Sequence, residues 1–362
     1  MKISRRNFLG LCFYSGIFLS NKNPIFANPK QSSLILIELR GGNDGLNTLI
    51  PYTNSLYFSK RPKLALSNFI KLNSKLALNP YMEDLLPLWK ERKITFALGV
   101  GFSNPNRSHF AAQDQWSTGK KSGEGKGWMA DMSDSLENEN YLLSLGPTSS
   151  NAVEGGINGS LHLRGNEYKI PYNKDSEYYS QITRERKLLK EYLRIEKKSN
   201  IEFQKIKNTI NNLPDSIKIP KGALGKQTKL ALQLINTDSP PTFIQLEHGG
   251  YDTHQNQLIR QNKKLKELSE NILALKKGSE KLKKGLDLNI IVTSEFGRRL
   301  NENGANGTDH GSASIAFMVG DSFKEEFIGY YPDLSQLDHR GDLVPNITPN
   351  DLYSYAKRKI WV

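Results

Sequence analysis

Residues 290–314 read IIVTSEFGRRLNENGANGTDHGSAS. A run rich in β-branched residues ends at Ser294 and Glu295, and a loop rich in glycine then leads to Asp309 and His310. Here a strand ends on a carboxylate, and a histidine follows in a loop that has no core of its own. This pattern is typical of a site at the edge of a sheet. We therefore expect these residues to line a pocket at the end of a parallel strand.

Three other segments share this design: an apolar strand, then a turn rich in glycine, then polar residues of catalytic type. They are SLILIELRGGNDGLN (33–47), ITFALGVGFSNPNRSHF (94–110) and TFIQLEHGGYDTHQNQ (242–257). The apolar runs predict strands at 34–39, 94–100 and 242–246. Near-continuous apolar runs are typical of strands that helices cover on both faces.

Helical patterns lie between the predicted strands. Residues 80–92 precede the second strand, and residues 262–285 carry leucine and isoleucine along one face before the fourth. Alternation of strands and helices predicts an α/β fold with a mostly parallel sheet flanked by helices, in which ligands bind beyond the carboxyl ends of the strands. We expect one domain over residues 28–362, with a helical and loop cap inserted at about 120–240.

The first 27 residues have the features of an export signal. Arg5 and Arg6 precede the apolar run FLGLCFYSGIFL, and Ala27 offers a small residue for cleavage. This pattern indicates the twin-arginine export machinery and a periplasmic or exported protein. The apolar run is too short to predict a stable membrane span after processing. Cleavage would remove Cys12, the only cysteine of the sequence, and with it any cysteine metal ligand.

The net charge of +13 falls to +9 without the signal, because residues 1–27 hold four basic residues and no acidic ones. The basic residues are spread along predicted helices and are not interleaved with aromatic residues. This distribution indicates solvated helix faces and argues against nucleic acid as a partner. A weaker alternative is that the basic run from Lys187 to Lys198 docks on an anionic lipid or polysaccharide.

The four polar clusters contain side chains that bind divalent metals. Carboxylate oxygens together with imidazole nitrogens suit zinc, manganese, magnesium or calcium, with identity left open. In an extended segment, Asp252 and His254 would project to the same side. The candidate ligands are Asp44, Asp252, His254, Glu295 and His310. Two cations held close together there would polarise an ester or phosphoryl oxygen.

The second cluster adds candidate catalytic residues. Residues 106–116 predict the start of a helix, where the hydroxyl of Ser108 would lie in the positive field of the helix N-terminus. Arg107 could bind an anion in a bidentate manner. His109 lies beside them, and Ser103 is a second possible nucleophile.

Each residue also has a simpler interpretation. Ser108 could only cap the helix, Asp44 could only form a turn, and Glu295 could pair with Arg298. His109 taken alone could be a packed or solvent-facing histidine. The functional interpretation is favoured because three of the six histidines fall in these four loops. We expect structural roles for His162 and His339, and a supporting role behind the ligands for His248.

The motifs LRGGNDGLNTLIPY (39–52), NPNRSHFAAQDQW (104–116), GGYDTHQNQ (249–257) and TSEFGRRLNENGANGTDHG (293–311) resemble those of an exported bacterial family, domain of unknown function 1501. That family is grouped with the alkaline phosphatase and sulfatase superfamily and usually has a twin-arginine signal. The resemblance implies an alkaline phosphatase-like fold and a helix-start nucleophile at Ser108. It also implies the metal ligands Asp44, Asp252, His254, Glu295 and His310.

The sequence departs from the superfamily pattern at one position. VTSEFG is similar to the TSDHG turn of sulfatases, but Phe296 replaces the histidine, so a single ion could replace two. SNPNR also resembles a sulfatase motif that begins with a modified residue, which nominates Ser103. The resemblance implies a periplasmic metal-dependent hydrolase of phosphate or sulfate esters, with an anionic ester as substrate. The alternative is a non-catalytic exported binding protein on the same scaffold.

Overall fold

The computed structural model describes residues 32–136, 142–157, 159–163, 204, 206–283 and 285–361. Its strands are β1 Ser32–Arg40, β2 Leu49–Ile50, β3 Ile70–Lys71, β4 Ala77–Leu78, β5 Ile94–Val100, β6 Leu142–Ser144, β7 Ser160–His162, β8 Phe243–Gly249, β9 Asp287–Ser294, β10 Ser314–Val319 and β11 Phe327–Gly329. Its α-helices are α1 Gly45–Thr48, α2 Ser55–Ser59, α3 Leu86–Lys90, α4 His109–Thr118, α5 Trp128–Ser135, α6 Ala223–Ile235, α7 Gln257–Leu282 and α8 Pro349–Trp361. Two 3₁₀ helices span Pro80–Leu85 and Asn151–Val153.

The main sheet has eight strands in the order β11-β5-β10-β9-β1-β8-β6-β7, and β2, β4 and β3 form a small second sheet. β1 pairs in parallel with β8 and β9, β6 with β7 and β8, and β11 with β5. β10 is antiparallel to both of its neighbours, β5 and β9. The predicted mostly parallel α/β sheet is confirmed.

Helices cover the sheet on both faces, as the continuous apolar runs predicted. Alternate residues of β1 point to opposite sides: Ile35 and Ile37 pack in one apolar cluster, and Leu34 and Leu36 in another. The first cluster includes the buried residues of α6 and α7, and the second includes those of α4, α5 and α8. The predicted helix over 262–285 is confirmed within α7, where its apolar face is buried.

The region predicted as an insertion is partly built into the sheet. β6 and β7 extend it beyond β8, and α6 packs beneath it. Residues 164–203, which form the central part of the predicted cap, lie outside the described residues. The export signal at 1–27 and the basic run at 187–198 also lie outside them.

The functional loops meet at one edge of the sheet. In the register of the sheet, Leu39 of β1 is level with Ser294 of β9 and with His248 of β8. The loops that begin near Gly41, Gly250 and Glu295 therefore leave the sheet side by side. The loop after β5 leaves from the same edge, because β5 runs in the same direction as β9.

Candidate metal centre

A glycine brings two of these loops into close contact. Gly41 has φ +118°, and a Cβ atom built on it would lie 2.2 Å from the backbone nitrogen of Asp252. Glycine is therefore needed both for the backbone conformation and for the approach. This contact fixes Asp252 beside the end of β1.

Asp252 is the centre of the site. Its Oδ1 atom lies 3.0 Å from His254 Nε2 and 3.3 Å from His310 Nε2. Its Oδ2 atom lies 3.6 Å from His109 Nε2. Three loops, after β5, β8 and β9, thus bring an imidazole to one carboxylate. The Asp252 side chain is 47% exposed, so the site opens to solvent.

The opposite nitrogen of each imidazole faces an oxygen acceptor. His109 Nδ1 lies 3.0 Å from Glu295 Oε1, and His310 Nδ1 lies 2.9 Å from the carbonyl oxygen of Arg107. His254 Nδ1 lies 3.4 Å from Asp309 Oδ1. The Nε2 atoms in turn face the carboxylate oxygens of Asp252, so each ring lies between two oxygen acceptors. With a metal ion at Nε2, the Nδ1–H tautomer would donate to the acceptor on the other side of each ring.

This arrangement is suited to a cation. His254 Nε2 and His310 Nε2 lie 3.0 Å apart, and two lone pairs at that distance repel each other unless a proton or a metal ion lies between them. Ligand atoms around a tetrahedral zinc lie about 3.3 Å from one another, close to the separations around Asp252 Oδ1. Ligand atoms of His109, Asp252 and His310 all lie within 4.8 Å of one another. These three residues therefore fit a divalent metal, and His254 contacts Asp252 and His310 but lies outside this group.

Nearby charges set the pKa values of the site. Burial raises the pKa of Asp252, but the hydrogen bond and charge of Arg298 outweigh burial and hold that pKa at about 2. The hydrogen bond with Glu295 raises the pKa of His109, whereas burial lowers the pKa of His310. Asp252 is consequently anionic at neutral pH, as a metal ligand must be.

Arg298 joins the loops that carry the ligands. Its Nη2 atom donates to Asp252 Oδ1 at 2.7 Å and to the carbonyl of Gly41. Its Nε atom donates to the Gly42 carbonyl at 2.8 Å, and its Nη1 atom to the Thr308 carbonyl at 2.7 Å. The guanidinium is fully buried. Arg298 therefore pairs with Asp252, where the sequence had suggested a pair with Glu295.

Asp44 lies in a different environment from the other predicted ligands. Arg61 Nη1 and Gln257 Nε2 each donate to its Oδ2 atom at 2.5 Å, and the backbone N–H of Leu46 donates to Oδ1 at 3.2 Å. Both Asp44 and Arg61 are fully buried. Both carboxylate oxygens of Asp44 thus accept hydrogen bonds from protein donors. The role of Asp44 as a metal ligand stays a prediction.

Glu295 contacts His109, whose opposite ring nitrogen faces Asp252. Its Oε1 atom accepts from the Gly41 backbone N–H at 2.6 Å as well as facing His109 Nδ1. Hydrogen bonds lower the pKa of Glu295 against the opposing effect of its burial. A carboxylate that orients an imidazole from behind raises its basicity toward a metal. Direct ligation by Glu295 stays a prediction.

Phe296 forms an apolar floor beneath the histidines. Its ring centroid lies 4.4 Å from that of His310 and 5.1 Å from that of His109. The side chain is 1% exposed. The position that holds a histidine in the sulfatase turn is therefore filled by packing in this chain. Among the described residues, one group of three or more acidic and histidine side chains could hold an ion.

The segment before α4 is attached to the site at two points. The carbonyl of Arg107 binds His310, and His109 contacts Asp252, which places Ser108 between them along the chain. Ser108 is the exposed N-cap residue of α4, and its hydroxyl makes no capping hydrogen bond. Ser103 is exposed in the preceding loop. The guanidinium of Arg107 turns away to Asp342.

The remaining histidines make other contacts or are exposed, and their predicted roles stay predictions. His248 Nδ1 lies 3.0 Å from the hydroxyl of Tyr251, and Nε2 lies 3.1 Å from Glu267. His162 Nε2 lies 2.8 Å from the Gly146 carbonyl, and His339 is exposed. Sequence reasoning gave no role in the site to Arg61, Gln257 or Asp342, and it paired Arg298 with Glu295. Of these, Gln257 and Arg298 had a signal, because they lie inside the motifs at 249–257 and 293–311.

Comparison with known proteins supports the family resemblance in part. The family described as "Protein of unknown function (DUF1501)" matches residues 176–336, which include the motifs at 249–257 and 293–311. The motifs around Asp44 and Ser108 lie outside the matched range. No curated protein matches this sequence.

Several solved structures are similar to this chain at low sequence identity. The C-terminal periplasmic domain of EptC from Escherichia coli, in complex with zinc, is 10% identical with a TM-score of 0.44, covering 92% of this chain and 83% of that one. The same domain of phosphoethanolamine transferase EptC from Campylobacter jejuni is 12% identical with a TM-score of 0.38, covering 80% of each chain. An alkaline phosphatase superfamily protein from Vibrio parahaemolyticus is 10% identical with a TM-score of 0.35, covering 91% and 72%.

Proposed function

We propose that the protein is a periplasmic metal-dependent hydrolase of phosphate or sulfate esters. The observation that carries the proposal is the convergence of three imidazole Nε2 atoms on Asp252, each held by an acceptor at Nδ1. His109, Asp252, His254 and His310 would hold one divalent ion, with Glu295 and Arg298 positioning them. Imidazole with carboxylate favours zinc, and manganese, magnesium and calcium remain to be compared.

A bound cation would supply the positive charge that polarises the ester oxygen. The residues of the chain then divide the remaining tasks. The uncapped N-terminus of α4 offers backbone N–H groups and a positive dipole to the anionic ester. Ser108 attacks: its oxygen bonds to phosphorus or sulfur, the ester bond breaks, and the hydroxyl proton ends on the leaving alcohol. Water then releases the phosphate or sulfate from Ser108.

The alternative is a non-catalytic binding protein on the same scaffold. The packed ring of Phe296 favours it, because that position carries no ligand. Such a protein would bind an anionic ester without turnover and would tolerate Ser108→Ala. Export through the twin-arginine machinery belongs to the same proposal, and what supports it is the pair Arg5 and Arg6 before the apolar run in residues 1–27. In the described part of the chain, no helix is both long and apolar enough to span a membrane.

The test is metal-dependent turnover by the purified chain. Metal content is measured by mass spectrometry, and hydrolysis of 4-nitrophenyl phosphate and 4-nitrophenyl sulfate is followed with and without a chelator. We expect about one ion per chain and turnover that the chelator abolishes and metal restores. A metal-free protein with an intact fold and no turnover after metal addition would overturn the proposal. Metal binding with tight ester binding and no turnover would favour the alternative.

A further inference from the structure

A second charged cluster lies beside His310. Asp342 Oδ2 accepts a hydrogen bond from Arg107 Nη2, and its Oδ1 atom lies 3.4 Å from Arg299 Nε. The Asp342 side chain is fully buried, and its backbone N–H donates to Asp338 Oδ1 at 2.9 Å. A rigid buried carboxylate therefore orients two guanidinium groups.

The guanidiniums of Arg107 and Arg299 share the Asp342 carboxylate, and the carboxylates of Asp338 and Asp309 lie nearby. One carboxylate faces two guanidiniums, and among the described residues neither Arg107 nor Arg299 forms another ion pair. Their side chains are 26% and 34% exposed, so parts of both reach solvent. Arg107 Nε and Arg299 Nε are both buried without a hydrogen-bond partner in the described part of the chain. The solvent-exposed parts of the two guanidiniums are therefore what an anion could contact.

The backbone places this cluster on the far side of His310 from Asp252. The carbonyl of Arg107 binds Nδ1 of His310, whereas Nε2 faces Asp252. The backbone N–H of Arg299 donates to the Asp309 carbonyl at 3.1 Å, next to His310 in the chain. The Arg107 backbone therefore lies on the Nδ1 side of His310, away from Asp252, and the Arg299 backbone lies next to Asp309. An anion held by the pair would be a different group from the one that reacts.

We propose that Arg107 and Arg299, oriented by Asp342, form a binding site for a second phosphate or sulfate group of the substrate. The inference rests on the proposed function, because it takes the reacting ester to lie at Asp252. Two guanidiniums can bind a tetrahedral oxyanion through several charge-assisted hydrogen bonds. The substrate class is thereby narrowed to esters that carry two anionic groups.

The test compares two probes by isothermal titration calorimetry on the metal-loaded protein. Propane-1,3-bisphosphate carries a second phosphate, and propyl phosphate lacks it. We expect the bisphosphate to bind at least about tenfold more tightly, which is the effect of one additional charge-assisted contact. In Arg299→Gln that preference should disappear. Arg299 is preferred to Arg107 for this test, since it is more exposed and farther from Asp342.

Arg340→Gln is the matched control. Arg340 is an exposed arginine in the same turn as Asp342 and, within the described residues, forms no ion pair. The Arg340→Gln substitution removes the same charge, and this variant should still bind the bisphosphate more tightly than propyl phosphate. Equal preference in Arg299→Gln and Arg340→Gln, with both folded by circular dichroism, would overturn the inference. So would the absence of any preference in the unsubstituted protein.

Binding measurements on metal-stripped protein test the arginine site independently of the proposed hydrolase activity. The arginine pair contains no metal ligand, so bisphosphate should still bind the stripped protein more tightly than it binds stripped Arg299→Gln. Failure of turnover with this difference intact would contradict the hydrolase and leave the anion site standing. Turnover with no such difference would contradict the anion site alone.

Discussion

The Nε2 atoms of His254 and His310 lie 3.0 Å apart, and each ring has an oxygen acceptor at its Nδ1 atom. The contact is repulsive unless a cation or a proton occupies it. Metal removal should therefore lower the stability of the protein. A ligand at about 1,000 times its dissociation constant stabilises the folded state by about 4 kcal/mol. Urea unfolding with metal and with chelator measures this difference.

Asp252→Asn and Asp44→Asn should distinguish a carboxylate that binds the metal from one that stabilises the fold. Asp252→Asn removes the charge that faces three imidazoles, and we expect loss of bound metal. Asp44→Asn should retain metal but leave buried Arg61 without its counter-ion, which costs about 3–5 kcal/mol. Metal analysis and urea unfolding of both variants check this. Metal loss in Asp44→Asn with retained fold would restore Asp44 as a ligand.

Ser108→Ala should abolish turnover and leave metal content and stability nearly unchanged. Ser108 makes no capping hydrogen bond, so its removal costs the helix little. Loss of a nucleophile is expected to lower kcat roughly a thousandfold or more. Ser103→Ala, in the exposed loop before it, is the matched control. A reversed outcome, with Ser103→Ala inactive, would make Ser103 the nucleophile.

Gly41→Ala should disrupt the site by displacing the backbone of Asp252. The new Cβ would lie 2.2 Å from the Asp252 backbone nitrogen, at a φ that L-residues rarely adopt. We expect a loss of roughly 3 kcal/mol in the free energy of unfolding and weaker metal binding. Gly249→Ala is the control, because nothing lies within 4 Å of a Cβ there. Equal behaviour of the two variants would argue against the close contact as a determinant of the site.

His248 should make stability depend on pH. Burial lowers its pKa from 6.5 to about 4. Between these values the unfolded chain binds a proton that the folded protein does not, so stability falls as the pH falls from 6.5 to 4. The slope is about 1.4 kcal/mol per pH unit for one proton. In metal-free protein, His248→Phe should lack this part of the slope. An unchanged slope would show that His248 titrates normally in the folded state.

The sequence predicted four of the eight strands of the main sheet, because these strands are continuous apolar runs. β5 was predicted with its observed bounds, and Asp252 and His254 were expected to project to the same side. β10 was not predicted, and neither were β6, β7 and β11, since three-residue strands carry no periodic signal. The partners Arg61 for Asp44 and Asp342 for Arg107 could not be found either. They are distant in the chain, and their pairing depends on how loops pack.

Other parts of the site have no sequence signal at all. The acceptor at Nδ1 of His310 is a backbone carbonyl, which every residue carries. Arg298 lies in a motif that the sequence analysis used, but its hydrogen-bond partners could not be predicted. Four of its hydrogen bonds go to backbone carbonyl oxygens in three loops. The residue types were therefore predictable, whereas their pairing and orientation required the fold.

Anomalous diffraction at the absorption edge of the bound metal tests the central claim most directly. We predict one peak surrounded by Nε2 of His109, His254 and His310 and a carboxylate oxygen of Asp252. A peak ligated by Asp44 and remote from these imidazoles, or metal-replete crystals with no peak among them, would contradict the account.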